Sequence, residues 1–228
     1  MNWFQLDPQS IANRVKTSNT TIAQPTLTES ILRGAAGFTL VSVAGFTPWV
    51  LAGKWFYHNP GEVAMYSSCA VVFMGLSGLL LHRLIIGPGS LQRFYVFFCI
   101  AFAAYSVAWI AGWMSLKGHV GSIVGLFAGT LAMGLVFAAA FEAWGAVLKI
   151  VAALFVLNSL GYFVGGWIEG YLAQQKEFSF LGLSLSGSAL TIFMKYAWAI
   201  CYGAGLGAGL GFAFHASQSK AHELIQAS

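Results

Sequence analysis

Charged residues are scarce in this sequence. They make up 8% of its 228 residues, while 58% are hydrophobic; soluble domains usually carry about 25% charged residues. A soluble fold could not cover its surface with so few charges, whereas helices that face lipid need almost none. The composition therefore excludes an ordinary soluble domain and predicts an all-α, polytopic membrane helical bundle in contact with the lipid bilayer.

Basic runs and paired cysteines are also missing. The eleven Lys and Arg residues give a formal net charge of +4, but they stand singly, without the basic patch that nucleic-acid binding needs. Cys69, Cys99 and Cys201 lie in apolar segments and lack the CxxC spacing of a zinc site. We expect no nucleic acid, no metal and no cofactor.

Catalytic motifs are absent as well. The five histidines occur singly, and the sequence contains no HExxH motif, no GxSxG nucleophile motif and no P-loop. We therefore do not expect an enzyme. Because no nucleotide-binding motif is visible, any energy source would be a gradient or a partner.

Six windows contain the roughly 20 mostly apolar residues that a membrane-spanning helix needs. They cover residues 31–52, 63–84, 92–114, 120–142, 146–168 and 189–215. The predicted organisation is a polar N-terminal arm at 1–30, a six-helix transmembrane domain at 31–216 and a C-terminal tail at 217–228. Residues 173–187 are too short and too interrupted to span, so we expect an interfacial or re-entrant segment there.

The distribution of positive charge predicts the orientation. With six spans, seven basic residues lie on the side of both termini: Arg14, Lys16, Arg33, Arg83, Arg93, Lys149 and Lys220. Four lie on the other side: Lys54, Lys117, Lys176 and Lys195. Since cytoplasmic flanks carry the excess of Lys and Arg, both termini should be cytoplasmic, with the protein in the cell inner membrane or an internal membrane.

The N-terminal arm contains one short amphipathic pattern. Asp7 is a predicted helix cap, Pro8 occupies the first helical position, and Ile11 and Val15 share a face. This helix could dock on the membrane or on a partner. The polar segment that follows is predicted to be a tether; its sequence is KTSNTTIAQPTLTES.

Glycine repeats at four-residue spacing in three spans. The repeats are Gly121 and Gly125 in the fourth span, Gly161 and Gly165 in the fifth, and Gly203, Gly207 and Gly211 in the sixth. Such small faces let neighbouring backbones approach closely. They predict that the last three spans pack together. If the chain is a scaffold, the face around Gly207 would instead contact partner helices.

The first span contains a proline, which predicts a kink in the helix. Pro48 removes a backbone donor and crowds the preceding turn, so Gly45 and Pro48 form a predicted hinge. A three-plus-three arrangement of inverted halves is allowed, because each half has an odd number of spans. No motif in the first half matches one in the second.

Few polar residues lie at membrane depth, and these are the candidates for a pathway. Tyr105, Asn158 and Ser159 lie near the middle of their spans, where they could line a hydrated path or hydrogen-bond between helices. Lys195 could face an internal cavity or extend to an aromatic belt. Glu142, at the end of the fourth span, could gate a path or pair with Lys149.

Two functional hypotheses follow. The first is a small channel or secondary transporter for an ion or small solute, indicated by six spans, glycine-rich helices and sparse polar groups at mid-depth. The second is a non-catalytic subunit or assembly factor of a larger membrane complex, indicated by the lack of buried charge and the abundant aromatic residues. A homo-oligomer or membrane-protein partners are expected.

Overall fold

The computed structural model describes residues 4–18 and 25–227, most of which are helical. The helices are α1 (Pro8–Thr17), α2 (Leu27–His58), α3 (Glu62–Leu81), α4 (Ser90–Leu116), α5 (Gly118–Phe141), α6 (Val147–Leu172), α7 (Gly187–Ser217) and α8 (Ser219–Gln226). Two strands, β1 (Glu177–Phe180) and β2 (Leu183–Ser186), lie between α6 and α7. Helices α2 to α7 are long and apolar enough to cross a membrane. The protein is a polytopic helical membrane protein, as predicted.

The first span is longer than its apolar window. α2 begins at Leu27 behind a capping box, in which the Glu29 N–H donates to Thr26 Oγ1 (3.2 Å) and the Thr26 N–H donates to the Glu29 carboxylate (2.8 Å). It continues through KWFYH because none of these residues breaks a helix. It ends at His58, before an NPG turn in which Gly61 has a φ of +89°.

Gly45 and Pro48 lie inside an uninterrupted α2. The Thr47 hydroxyl donates to the Val43 carbonyl (2.8 Å), next to the carbonyl that Pro48 leaves without its N–H partner. Gly45 also has a packing role, since a Cβ there would collide with the ring of Phe73 on α3. The hinge itself stays a prediction.

The six spans form a closed ring in chain order. Each span packs against the next, and α7 returns to pack against α2. The contacts of α2 with α7, α6 with α7 and α4 with α5 are extensive, whereas α3 with α4 and α5 with α6 meet along thin seams. Since α2 with α7 and α4 with α5 each join the first half of the chain to the second, the three-plus-three division does not separate two packed units.

The alternating glycines of α7 contact two neighbouring helices. Gly203, Gly207 and Gly211 face α2, where a Cβ at Gly203 would lie 2.7 Å from the Thr39 Cα. Gly205 and Gly209 face α6, where a Cβ at Gly209 would lie 3.1 Å from the Leu154 Cα. α7 is therefore held between two backbones at close range.

The glycine repeat of α5 predicted from the sequence, Gly121 and Gly125, faces α4 instead of the last two spans, whereas Gly134 lies against Val151 of α6. A Cβ at Gly121 would lie 2.9 Å from the Trp113 carbonyl oxygen, and a Cβ at Gly125 would lie 2.7 Å from that of Trp109. The prediction that the last three spans pack through their glycine faces is therefore wrong for α5. Small residues identify a close contact, but they do not identify the partner helix.

The glycines of α6 do face α7. A Cβ at Gly161 would collide with the Cys201 carbonyl oxygen, and Gly165 also lies against α7. Gly207 in turn faces α2, so these small faces make contacts within a single chain. In the scaffold hypothesis, the face around Gly207 would contact partner helices. Because α2 of the same chain covers this face, it is not available to a partner.

The segment predicted to be interfacial or re-entrant forms a β-hairpin. β1 and β2 pair antiparallel around Leu181 and Gly182, which both have positive φ (49° and 81°), as in a type I′ turn. The rings of Phe178 and Phe180 contact that of Phe193 on α7, with centroids 5.9 and 5.0 Å apart. We call this end of the bundle the hairpin end.

Helices α1 and α8 lie together at the opposite end of the bundle, which we call the terminal end. The Asp7 carboxylate caps α1 by accepting a backbone N–H (2.9 Å), as predicted. Ile11 is fully buried and Val15 half-buried, and α1 packs against α8, which forms the C-terminal tail. The apolar face of the arm is thus covered by its own chain. The predicted tether includes residues 19–24, which lie outside the described residues.

Candidate functional site

Seven phenylalanines fill the terminal half of the ring. They are Phe38, Phe94, Phe97, Phe98, Phe137, Phe141 and Phe214, and each is at most 1% exposed. The ring centroids of Phe97 and Phe137 are 4.7 Å apart, and those of Phe137 and Phe214 are 4.9 Å apart. We call this cluster the phenylalanine plug. Because rings at this spacing pack as densely as a protein interior, the plug closes the bundle at the terminal end.

Three polar side chains meet directly beyond the plug. Asn158 of α6 is fully buried, and its Nδ2 donates to the Tyr105 hydroxyl of α4 (2.9 Å). The Tyr105 ring stacks on Phe102 (6.0 Å), which stacks on Phe98 of the plug (5.4 Å). The Tyr202 hydroxyl of α7 lies close enough to that of Tyr105 for the two groups to influence each other electrostatically. We call Tyr105, Asn158 and Tyr202 the polar cluster.

The polar cluster is incompletely hydrogen-bonded. The Asn158 Oδ1 is buried and has no partner within residues 4–18 and 25–227, and the same holds for Ser159 Oγ and Trp109 Nε1. An unpaired buried acceptor costs about 1–3 kcal/mol, and such groups in native proteins usually meet a water or a ligand. The cluster can therefore accept a hydrogen bond from a solute.

A second polar contact extends the cluster toward the hairpin end. Tyr162 follows Asn158 by four residues, which places both on one face of α6, and its hydroxyl lies 3.3 Å from Ser122 Oγ on α5. Trp198 packs edge-on against Tyr162 (5.9 Å) and stacks on Tyr202 (5.2 Å). Tyr162 and Trp198 are half-buried, in contrast to the plug. Four spans thus contribute hydroxyl groups and aromatic faces to one region.

Lys195 contacts an aromatic ring near the hairpin end. Its Nζ is 4.2 Å from the centroid of Trp49 on α2, a favourable position for a cation. Glu169 of α6 is close enough to interact with its charge. Beside it, the Tyr196 hydroxyl lies 3.1 Å from Thr47 Oγ1. This arrangement favours the aromatic-belt interpretation of Lys195 over an internal cavity.

Glu142 lies at the terminal end and is exposed. It caps α5 in a left-handed conformation with a φ of 53°. No ion pair joins it to Lys149 in the part of the chain that the structure describes. The predicted cross-loop pair is therefore not formed.

The structure brings together part of the predicted pathway set. Asn158 and Tyr105 are in contact, whereas Lys195 and Glu142 lie near opposite ends of the bundle. The sequence did not identify Tyr202, because the glycines around it indicate only close packing. Tyr162 carried a usable signal in its four-residue spacing from a buried amide.

The described residues offer no metal centre beside the polar cluster. No three His, Cys, Asp or Glu side chains of this part of the chain are placed to hold a metal ion. Cys69, Cys99 and Cys201 are free thiols.

Comparison with known proteins finds no match: no protein family, no curated protein and no solved structure is similar enough to this chain to be recognised as a relative.

Proposed function

We propose that the protein is a secondary transporter for a small uncharged solute, and that it is not an enzyme. The observation that supports this most is the buried Asn158 Oδ1, which lacks a partner in the described chain. Asn158, Tyr105 and Tyr202 each lie near the middle of a span. Substrate sites of secondary transporters lie near the bilayer midplane, between spans.

The chemistry of the polar cluster favours an uncharged solute. Its members are an amide and two phenolic hydroxyls, and its hydrogen bonds involve no charged side chain. An ion at this depth would lack a counter-charge, which is costly in a membrane. A solute with one donor for Asn158 Oδ1 and an apolar face to stack on Trp198 would fit.

The plug favours a transporter over an open channel, because it closes one end of the bundle. Its rings come from two parts of the molecule: Phe38 and Phe214 belong to α2 and α7, and the other five to α4 and α5. The pair formed by α4 and α5 meets its neighbours α3 and α6 along the thin seams. Movement of this pair relative to the other four spans would part the plug and expose the polar cluster to the terminal end.

Reconstitution tests this proposal. Proteoliposomes would be assayed for uptake of a panel of small uncharged solutes. We expect Asn158→Leu and Tyr105→Phe to reduce uptake about tenfold or more, corresponding to about 1.4 kcal/mol or more, with unchanged insertion and size. The matched control is Ser42→Ala, which removes a buried interhelical hydrogen bond to the Ala199 carbonyl (2.7 Å) outside the cluster. Equal uptake by all variants would refute the proposed site.

The second candidate is a non-catalytic subunit of a membrane complex. Large aromatic residues on the outer surface favour it: Trp167 of α6 is 72% exposed and stacks on the exposed Tyr171 (6.2 Å). Extraction in mild detergent, followed by sizing and mass spectrometry, separates the two candidates. Stoichiometric membrane partners would support the subunit function, whereas recovery alone or as a homo-oligomer would support transport.

We infer that the terminal end faces the cytoplasm. Seven of the eleven basic residues and four of the seven acidic ones lie at that end, as the positive-inside rule requires. Accessibility of a tag at each terminus in sealed cells would test this, and labelling of either tag from outside would overturn it.

A further inference from the structure

The half-buried Arg14 lies at the terminal end, remote from the polar cluster, and two nitrogens of its guanidinium group are buried. Arg14 Nε and Nη2 are buried and form no hydrogen bond within the described residues. Arg14 belongs to α1; Ile11 of this helix and Leu6, which precedes it, are fully buried against the bundle. The arm therefore holds this side chain in place, and the side chain does not extend freely into solvent.

The charges around Arg14 do not neutralise it. Burial, and then the charge of the neighbouring Arg93 on α4, lowers the pKa of Arg14 to about 10, so Arg14 stays cationic at neutral pH. Asp7 is the nearby carboxylate, but it caps α1 through the Ser10 N–H. Two neighbouring cations share one occupied carboxylate, which leaves an excess of positive charge.

Arg93 leaves room for a ligand beside it. Its Nη1 donates to the Pro88 carbonyl (3.1 Å) and the Gly89 carbonyl (2.8 Å), which fixes the guanidinium group. Its other nitrogens form no hydrogen bond within residues 4–18 and 25–227. A depression of about 270 Å³ adjoins it. The depression is lined by Phe4, Gln5, Gln92, Arg93 and Val96, so hydrogen-bonding amides and an apolar wall accompany the charge.

We propose that Arg14 and Arg93 together bind a phosphate group at the terminal end, between the N-terminal arm and the loop that precedes α4. A guanidinium fork pairs with phosphate oxygens in bidentate geometry. Arg93 lines the depression, and the nearby charge of Arg14 adds to the positive potential that an anion there would meet. The phosphate could belong to an anionic phospholipid headgroup or to a soluble phosphorylated compound. This proposal is independent of the transport proposal.

Binding would be measured on the full-length protein in two arms. In an uncharged detergent, thermal unfolding would be followed in inorganic phosphate and in chloride at equal ionic strength. In nanodiscs without free phosphate, phosphatidylcholine would be compared with a mixture that contains phosphatidylglycerol. Stabilisation in the first arm identifies a soluble phosphate compound as the ligand class, and stabilisation only in the second identifies a lipid headgroup.

The variants decide whether these arginines are responsible. We expect Arg14→Gln and Arg93→Gln each to weaken the stabilising ligand roughly 10- to 100-fold, as loss of charged hydrogen bonds implies. Lys16→Gln, an exposed charge change on the same helix, should leave binding unchanged. If Arg14→Gln does not fold, Arg93→Gln still tests the site. No stabilisation of the wild-type protein in either arm, or equal loss in Lys16→Gln, would overturn the proposal.

Discussion

The terminal half and the hairpin half of the bundle both contain many aromatic side chains, but they use them differently. In the interior of the terminal half, the rings belong to seven phenylalanines that are at most 1% exposed. In the hairpin half, half-buried tryptophans and tyrosines accompany the phenylalanines: Trp49, Trp109, Tyr162 and Trp198. Phenylalanine has only an apolar surface to bury, whereas Tyr and Trp also require a hydrogen-bond partner.

This difference is consistent with a separate role for each half in the proposed transport. Dense contacts among apolar rings resist separation, so the terminal half closes the bundle. In the transport proposal, a solute would bind to the hydroxyl groups and aromatic faces of the hairpin half, with the polar cluster at the boundary between the halves. A transporter that opens alternately to its two sides needs one end closed while the other is accessible.

The largest effect is expected where helices touch backbone to backbone. In Gly207→Leu, the new side chain would collide with the Gly34 carbonyl oxygen, so α2 and α7 must separate and we expect no folded protein. Gly166→Leu is the control, because a Cβ at Gly166 meets nothing within 4 Å. Fluorescence size-exclusion chromatography of detergent extracts would measure both. A normal monodisperse peak for Gly207→Leu would contradict the α2 contact with α7.

The next effect tests the plug. Phe214→Ala removes a ring that contacts four other phenylalanines, and we expect a loss of roughly 3–5 kcal/mol of stability together with solute leak through proteoliposomes. Phe127→Ala is the control, since Phe127 is 49% exposed and contacts a single ring. If Phe214→Ala lowers stability but proteoliposomes that contain it do not leak solute, the plug stabilises the fold without closing a path.

A smaller effect is expected for loss of the hydrogen bond between Asn158 and Tyr105, at the boundary between the halves. Tyr105→Phe keeps the ring stack but removes the acceptor for the Asn158 amide, which should lower stability by about 1–3 kcal/mol. Tyr171→Phe, at an exposed tyrosine of α6, should change stability little. Unfolding in detergent would measure both variants. Equal stability would mean that the amide and the hydroxyl are not paired.

The smallest effect concerns pH at the terminal end. Burial, and then the neighbouring His215, lowers the pKa of His222 below its usual value of 6.5. The unfolded chain therefore takes up a proton more readily than the folded one, so stability should fall as the pH drops below about 6.5. His222→Gln should reduce this loss, while His119→Gln, at an exposed histidine of the hairpin end, should not. Melting temperatures at neutral and acidic pH would show the difference.

The spans were predictable because hydrophobic length is a local property. Each apolar window became one helix, and only the boundaries moved, as in α2, where KWFYH stayed helical. The hairpin was harder to foresee, since EFSFLGLSLS is short and its positive-φ turn at Leu181 does not follow from composition. The cap at Asp7 was foreseen because it depends on residues next to each other in sequence.

The candidate site was predictable only in part. Asn158 stands out in an apolar span because buried amides are rare there, and its spacing marks Tyr162 as a neighbour. Tyr105 and Tyr202 belong to other helices, and no spacing within one helix indicates that they meet. Arg14 and Arg93 are likewise distant in the sequence, and docking of the arm brings them close enough for their charges to interact.

By itself, the sequence determined the class of the protein and its six spans. The six spans also place the flanks of the first and last span on the same side of the membrane, since an even number of spans allows no other outcome. Tertiary structure decided which helices are neighbours, how the glycines of α7 divide between α2 and α6, and where the plug and the polar cluster form. The physical reason is that in lipid many arrangements of apolar helices satisfy the hydrophobic surface equally well. The choice among them depends on close backbone approach, ring packing and buried hydrogen bonds, which join residues far apart in the chain.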